Sequence, residues 1–246
     1  MSKQTKEYLI NEEVYHYITN LELEWDGKKR LDTLFIDNLK ADDTELTRKM
    51  TRSWFINAIR TLLNPCNHKF HHLLVLVSDC DENEVGYSSD AICEFMKNFF
   101  IVNKTCYCYF NSSINLKRPS LGVYLTTNWA YCLNEIKDIP QDDFSAYKNF
   151  MELVNEPLRY ERTLRDETII CKPHNCVFIP TENKNLLNQP ISKDNPLWTI
   201  HCHATTDELC KLTNYFSSFV TVYQIWAETL HYYLQDPDAD LEICQV

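Results

Sequence analysis

The chain has 246 residues, enough for one sizeable hydrophobic core, and only three glycines, at Gly27, Gly86 and Gly122. A protein of this length ordinarily carries about 7% glycine, roughly 17 residues, and phosphate-cradling loops need closely spaced glycines so that backbone N–H groups can crowd an anion. Neither G-x-x-x-x-G-K-[ST] nor G-x-G-x-x-G can be written here, and a net charge of −11, from 24 basic and 35 acidic residues, argues against broad, sequence-blind binding to nucleic-acid phosphates.

Val14, Tyr17, Ile18 and Leu21 recur at helical spacing and predict a first helix over Asn11–Leu23, before a turn at Trp25-Asp26-Gly27. Leu31, Leu34, Phe35 and Leu39 predict a short second helix. Asp42 or Asp43 is positioned to cap a long third helix, whose stripe of Leu46, Met50, Phe55, Ala58, Ile59 and Leu62 ends at Asn64-Pro65. The texture then changes. Leu73–Val77 is a continuous apolar run, as in a strand covered on both faces. A polar loop follows, then a helix over Ser88–Phe100 and strands at Cys106–Phe110 and Leu121–Thr126. The remaining pattern predicts a helix near Asp143–Asn155 and strands at Thr168–Lys172, Cys176–Thr181 and Leu197–Cys202. One long closing helix, capped by Thr206 or Asp207, runs from Leu209 through Leu234. The expected class is α/β with a partly parallel sheet. It divides into a helical lead-in over 1–65, an α/β core over 66–205, and a C-terminal helix and tail over 206–246, together one compact unit.

The Leu73–Val77 run is far short of the roughly 20 residues of a membrane helix, and the polar start Met1–Lys6 has no signal-peptide apolar region. A cytoplasmic protein with no membrane partner is expected. Eleven cysteines then read as reduced, mostly buried thiols rather than a disulfide framework. Cys171, His174, Cys176, His201 and His203 are candidate zinc ligands by residue type, although their spacing is not that of a finger and strand alternation sends neighbours to opposite faces. Lys28, Lys29, Arg30, Arg48 and Arg52 make the N-terminal third the least acidic and are the candidate DNA contacts, against a solvated helix face as the plainer reading.

Trp25-Asp26-Gly27-Lys28-Lys29-Arg30-Leu31-Asp32-Thr33-Leu34 resembles the W-D-G-x-x-R-[IL]-D-T-L opening of the virulence-associated protein E family. Asp43-Thr44-Glu45, Thr47-Arg48 and Trp54-Phe55 continue that pattern, and Leu73–Val77 is similar to the strand before the family's phosphate loop. Cys176-Val177-Phe178-Ile179 resembles the C-V-F-I strand, Leu197-Trp198-Thr199-Ile200 the F-W-P-V strand, and Gln224–Leu230 the closing L-W-A-E-A helix. These matches run in order from about residue 20 to 235. The resemblance implies a P-loop NTPase-like core, related to AAA+ modules and superfamily 3 helicases, of the kind found as the helicase half of primase–helicases in phages and mobile elements.

The same resemblance places the catalytic elements where this chain departs from them. In place of the family's G-x-x-G-x-G-K-[ST] loop stands Ser78-Asp79-Cys80-Asp81-Glu82-Asn83-Glu84-Val85-Gly86-Tyr87-Ser88, which has no lysine and whose carboxylates Asp79, Asp81, Glu82 and Glu84 would repel a triphosphate. The acidic strand pattern W-I-V-E-I-x-E, matched to Leu121–Thr127, finds no acid there to hold magnesium or activate water. Remnants are Arg162, from the family's basic segment, and Asn183, the polar residue after the C-V-F-I strand. The resemblance therefore implies a catalytically inactive helicase-like protein with no cofactor. Its expected partner is a protein, either a replication or defence component or a second copy. A DNA-binding accessory factor is the alternative.

Overall fold

The computed structural model of the protein describes residues 12–21, 24–64, 73–78, 88–111, 125, 127–134, 158–162, 169–173, 176–183, 197–216 and 219–236. In chain order, α1 (Glu12–Thr19) buries Val14 and Ile18, and its last turn is closed by the Thr19 hydroxyl donating to the Tyr15 carbonyl at 2.9 Å. The short helix α2 (Leu34–Leu39) stops at Lys40, which turns left-handed at φ 56° and donates its N–H to the Phe35 carbonyl. The long helix α3 (Glu45–Leu63) is capped by Thr44, not by Asp42 or Asp43 as expected. Thr44 Oγ1 accepts the Thr47 N–H at 3.0 Å, while Asp43 is engaged by a forked pair to Arg48 at 2.8 Å and 2.8 Å. A carboxylate held by a guanidinium is not available to the helix end.

After α3 the chain enters β1 (Leu73–Ser78), buried along its whole length, and α4 (Ser88–Lys97), which runs into a 3-10 turn at Asn98–Phe100. Next comes a tight hairpin, β2 (Ile101–Val102) and β3 (Thr105–Cys106). Both of its central residues, Asn103 (φ 48°) and Lys104 (φ 72°), take the positive φ that a two-residue primed turn demands. The strand expected at Cys106–Phe110 is therefore split. Tyr107 joins the two parts, its N–H donating to the Phe100 carbonyl at the hairpin and its carbonyl accepting the Ala130 N–H, and β4 (Cys108–Asn111) joins the main sheet.

Of the strand expected at Leu121–Thr126, only Leu125 is among the described residues. Leu125 is helical and buried, and the strand that pairs with β4 is β5 (Ala130–Asn134). A separate antiparallel pair, β6 (Leu158–Arg162) with β7 (Ile169–Pro173), precedes β8 (Val177–Asn183) and β9 (Leu197–Cys202). The expected helix near 143–155 lies outside the described residues. Strands β4, β5, β8, β1 and β9 form one parallel sheet in that order.

The closing helix is two helices, α5 (Thr206–Phe216) and α6 (Phe219–Gln235). They pack on different partners, α5 against α4 and α6 against α3, which a single straight helix would not reach. The cap of α5 is Thr205 rather than Thr206 or Asp207. Glu208 accepts the Thr205 N–H at 2.9 Å, and Thr205 Oγ1 accepts the Glu208 N–H at 3.3 Å, a reciprocal capping box.

A hydrophobic cluster runs without a break from α1 through the sheet to α6. At its centre Trp129 and Trp226 lie 4.5 Å apart, with Phe100 edge-on to each. Three buried indole N–H groups reach a carbonyl on another element: Trp129 on Ala58 at 3.1 Å, Trp226 on Phe99 at 2.7 Å, and Trp54 on Phe178 at 3.2 Å. Among the described residues, no helix is long and apolar enough to cross a membrane.

Candidate functional site at the carboxyl edge of the sheet

Because the five strands are parallel, their carboxyl ends share one edge of the sheet. Ser78, the last residue of β1, stands opposite Asn183 on β8 and Cys202 on β9. Asn134 of β5 stands opposite Thr181 on β8. Residues 79–87, including the expected acidic positions Asp79, Asp81 and Glu82, lie outside the described residues; the chain re-enters the description at the amino end of α4. There Ser89 is fully buried and its hydroxyl has no hydrogen-bond partner among the described residues. The register thus brings Ser78 and Asn183 side by side. Arg162 belongs to the separate β6–β7 pair.

The shift from Leu121–Thr127 to Ala130–Asn134 changes the reading of the acidic strand. Counted along β5, Trp129-Ala130-Tyr131-Cys132-Leu133-Asn134-Glu135 fits the spacing W-I-V-E-I-x-E. Glu135 falls at the second acidic place of that spacing in the sequence and lies outside the described residues. Its signal was a tryptophan heading an apolar run with glutamate six positions on. The first acidic place is Cys132. This residue is completely buried, its Sγ is 3.3 Å from Cys108 Sγ, and burial pushes its thiol well up from the ordinary range. Cys93, on α4, contributes to the same shift and lies 3.4 Å from Thr181 Oγ1. A protonated thiol packed among thiols offers a magnesium ion neither charge nor oxygen. The buried thiol at the first of these places does not fit a magnesium ion.

The zinc candidates are not assembled. Cys176 sits at the amino end of β8, wholly buried, its Sγ donating to the Val177 carbonyl at 3.6 Å. His201 pairs in register with Val77 at the opposite end of the sheet. Thr181 is level with Leu76, so about six residues, or roughly 20 Å of strand, separate the two. His203 is exposed and lies 3.5 Å from Asp42 Oδ1. Cys171 is in β7, and His174 lies outside the described residues. Among the described residues no group of three His, Cys, Asp or Glu side chains is placed to hold a metal.

The candidate DNA contacts are mostly committed to carboxylates. Arg30 forks onto Asp26 at 2.7 Å and 2.7 Å, Arg48 onto Asp43, and Arg52 onto Asp32 while covering the Tyr232 ring at 5.0 Å. Lys28 and Lys29 are exposed.

The W-D-G segment proves to be a clasp on α6. Gly27 takes φ 80°; Trp25 Nε1 donates to the Lys28 carbonyl at 3.0 Å, and Asp26 accepts the Lys28 N–H at 3.0 Å. On α6, Gln224 accepts the Asp26 N–H at 2.9 Å and donates to the Glu24 carbonyl at 2.9 Å. Buried Glu228 accepts the N–H groups of Arg30 at 2.7 Å and Leu31 at 3.1 Å through one oxygen. The residues that carry the resemblance at the two ends of the chain therefore bind each other.

Among solved structures, the chain is similar to the apo structure of the NrS-1 C-terminal region (305-718), at 15% identity and a TM-score of 0.48, over 94% of this chain and 52% of that one. It is also similar to the A-form apo structure of the same region, at 12% identity and a TM-score of 0.41, over 94% and 51%. The chain spans about half the length of these structures. No curated protein matches it. The profile of the virulence-associated protein E-like domain matches residues 19–243. The chain belongs to the virulence-associated protein E-like family.

Proposed function

We propose that this chain is a P-loop-type, helicase-like domain that has lost nucleotide catalysis and acts through a protein partner in the replication or defence machinery of a phage or mobile element. The P-loop reading draws support from the sheet order. From β1 the chain crosses to β4 at one edge, and from β8 it passes over β1 to β9 at the other. The carboxyl end of β1 is thus a switch point, the place where open α/β sheets receive ligands.

The loss of catalysis rests above all on Cys132. Phosphoryl transfer needs metal and loop to neutralise the charge developing on the phosphates. Here a buried thiol stands at the first acidic place of β5, and the stretch between β1 and α4 has no lysine and a single glycine, Gly86. Glu135 alone, without metal or phosphate cradle, has nothing to act on. The test is phosphate release from ATP and GTP with magnesium. Release no faster than buffer supports the proposal; turnover that falls in Glu135→Gln overturns it.

A further inference from the structure

A cleft of about 420 Å³ lies between α1, the β2–β3 turn and α6, on a part of the molecule that the reading above does not use. Its lining includes Glu13, His16, Tyr17 and Asn20 of α1, Asn103 of the hairpin turn, and Tyr223 of α6. We propose that this cleft receives a cationic side chain, lysine or arginine, from a protein partner.

Three features point to a cation. The first is Glu13. Its two oxygens accept the Asn103 amide N–H at 2.7 Å and the Tyr107 hydroxyl, and these donors hold its carboxyl below the usual range. The cleft therefore keeps a fixed negative charge. The second is the pair of tyrosine rings, Tyr17 and Tyr223, whose centroids are 6.2 Å apart at 71°. Ring faces attract an ammonium or guanidinium within about 6 Å. The third is acceptor chemistry. Asn103 spends its amide nitrogen on Glu13, which leaves its carbonyl oxygen as an acceptor, and exposed Asn20 adds a second amide.

Charge at the rim points the same way. Glu12 adjoins Glu13, and Glu24 hydrogen-bonds the Tyr223 hydroxyl; among the described residues the basic groups beside them are His16 of the lining and Lys104, next to Asn103 in the hairpin turn. A phosphate-bearing ligand would meet net repulsion. The proposal rests on the protein-partner reading only in taking the cation's source as a protein.

The test uses the full chain and three fluorescein-labelled probes: a nonapeptide alternating Gly and Arg, one alternating Gly and Glu, and a nine-nucleotide single strand. Anisotropy is read at low salt, where exposed charges are least screened. The basic peptide should bind saturably and the other two should not. Asn20→Lys, at an exposed position, should weaken that binding about tenfold without moving the thermal midpoint, and Glu13→Gln should weaken it as well. Asp207→Lys, the same kind of charge change at a distant exposed site on α5, should leave it unaltered. Absence of saturable binding, equal binding by Asn20→Lys, equal weakening by Asp207→Lys, or preference for the oligonucleotide would each overturn the proposal. ATP turnover by the wild type, in contrast, would remove the catalytic-loss reading and leave the peptide result standing.

Discussion

The segment around Gly27 shows how single residues divide structure from function. A Cβ at Gly27 would meet nothing within 4 Å, so the glycine is required for its φ of 80° alone. Gly27→Ala should cost about 1–2 kcal/mol, read as a lowered denaturant midpoint with unchanged slope. Glu228 is the harder loss: Glu228→Ala leaves the Arg30 and Leu31 N–H groups without their acceptor, at about 1–3 kcal/mol for each buried donor, whereas Glu228→Gln keeps an acceptor oxygen and should cost less. The carboxylates also predict how stability follows pH. Asp26, held well below the usual range by the Arg30 guanidinium and then by the Lys28 N–H, favours the folded state above its unfolded value, as do Glu45, paired with Lys49, and Glu208, bonded to Thr205. Their contribution is lost as pH falls, so the thermal midpoint should drop between about pH 5 and pH 3. Glu228 works in the opposite sense. Burial raises its carboxyl, so its contribution is present at low pH and lost as pH rises through the folded value. Glu228→Gln should accordingly gain on the wild type between about pH 4 and pH 8; a constant gap across that range would contradict this.

At the scale of elements, what could be read from the sequence depended on how loudly burial speaks. Strand β1 is an unbroken apolar run up to Ser78, β8 opens on Val177-Phe178-Ile179, and both, with β9, fall where their residues predict. Strand β5 is five residues, Ala130–Asn134, with a tyrosine and a cysteine at its centre, and nothing in that composition outranks the aliphatic Leu121–Thr126 nearby. Its identity comes from non-local pairing with β4 and β8. With that strand displaced, the spacing of the acidic pattern falls on Trp129 to Glu135 rather than on Leu121–Thr127. The β2–β3 hairpin was silent for a local reason, since Asn103-Lys104 lacks the glycine that usually marks positive φ. Caps were ambiguous because Asp42, Asp43 and Thr44 are all competent, and the choice follows from Arg48 drawing Asp43 away. Thr44→Ala should therefore destabilise by about 1 kcal/mol, and Asp43→Ala, which removes an exposed ion pair, by less than that. Equal effects in urea unfolding would return the cap to Asp43.

For the whole molecule, the lead-in and the closing helix are bound to the sheet by one aromatic centre. Phe55 of α3 lies 5.2 Å from Trp226 of α6, which lies 4.5 Å from Trp129 at the start of β5. Trp226→Ala should cost about 3–5 kcal/mol, since it removes a buried ring and orphans the Phe99 carbonyl. The same architecture separates the carboxyl edge of the sheet from the contacts that hold the fold. The clasp between the W-D-G turn and α6, and the indole bonds across the core, involve none of the residues at the carboxyl edge, so that edge can change without loosening the rest. The central claim is that this edge no longer takes a magnesium nucleotide. Titration of the protein with a fluorescent ATP analogue in magnesium tests it most directly. No saturable binding into the high micromolar range is the predicted result; micromolar affinity that depends on magnesium and weakens in Glu135→Gln would contradict the account.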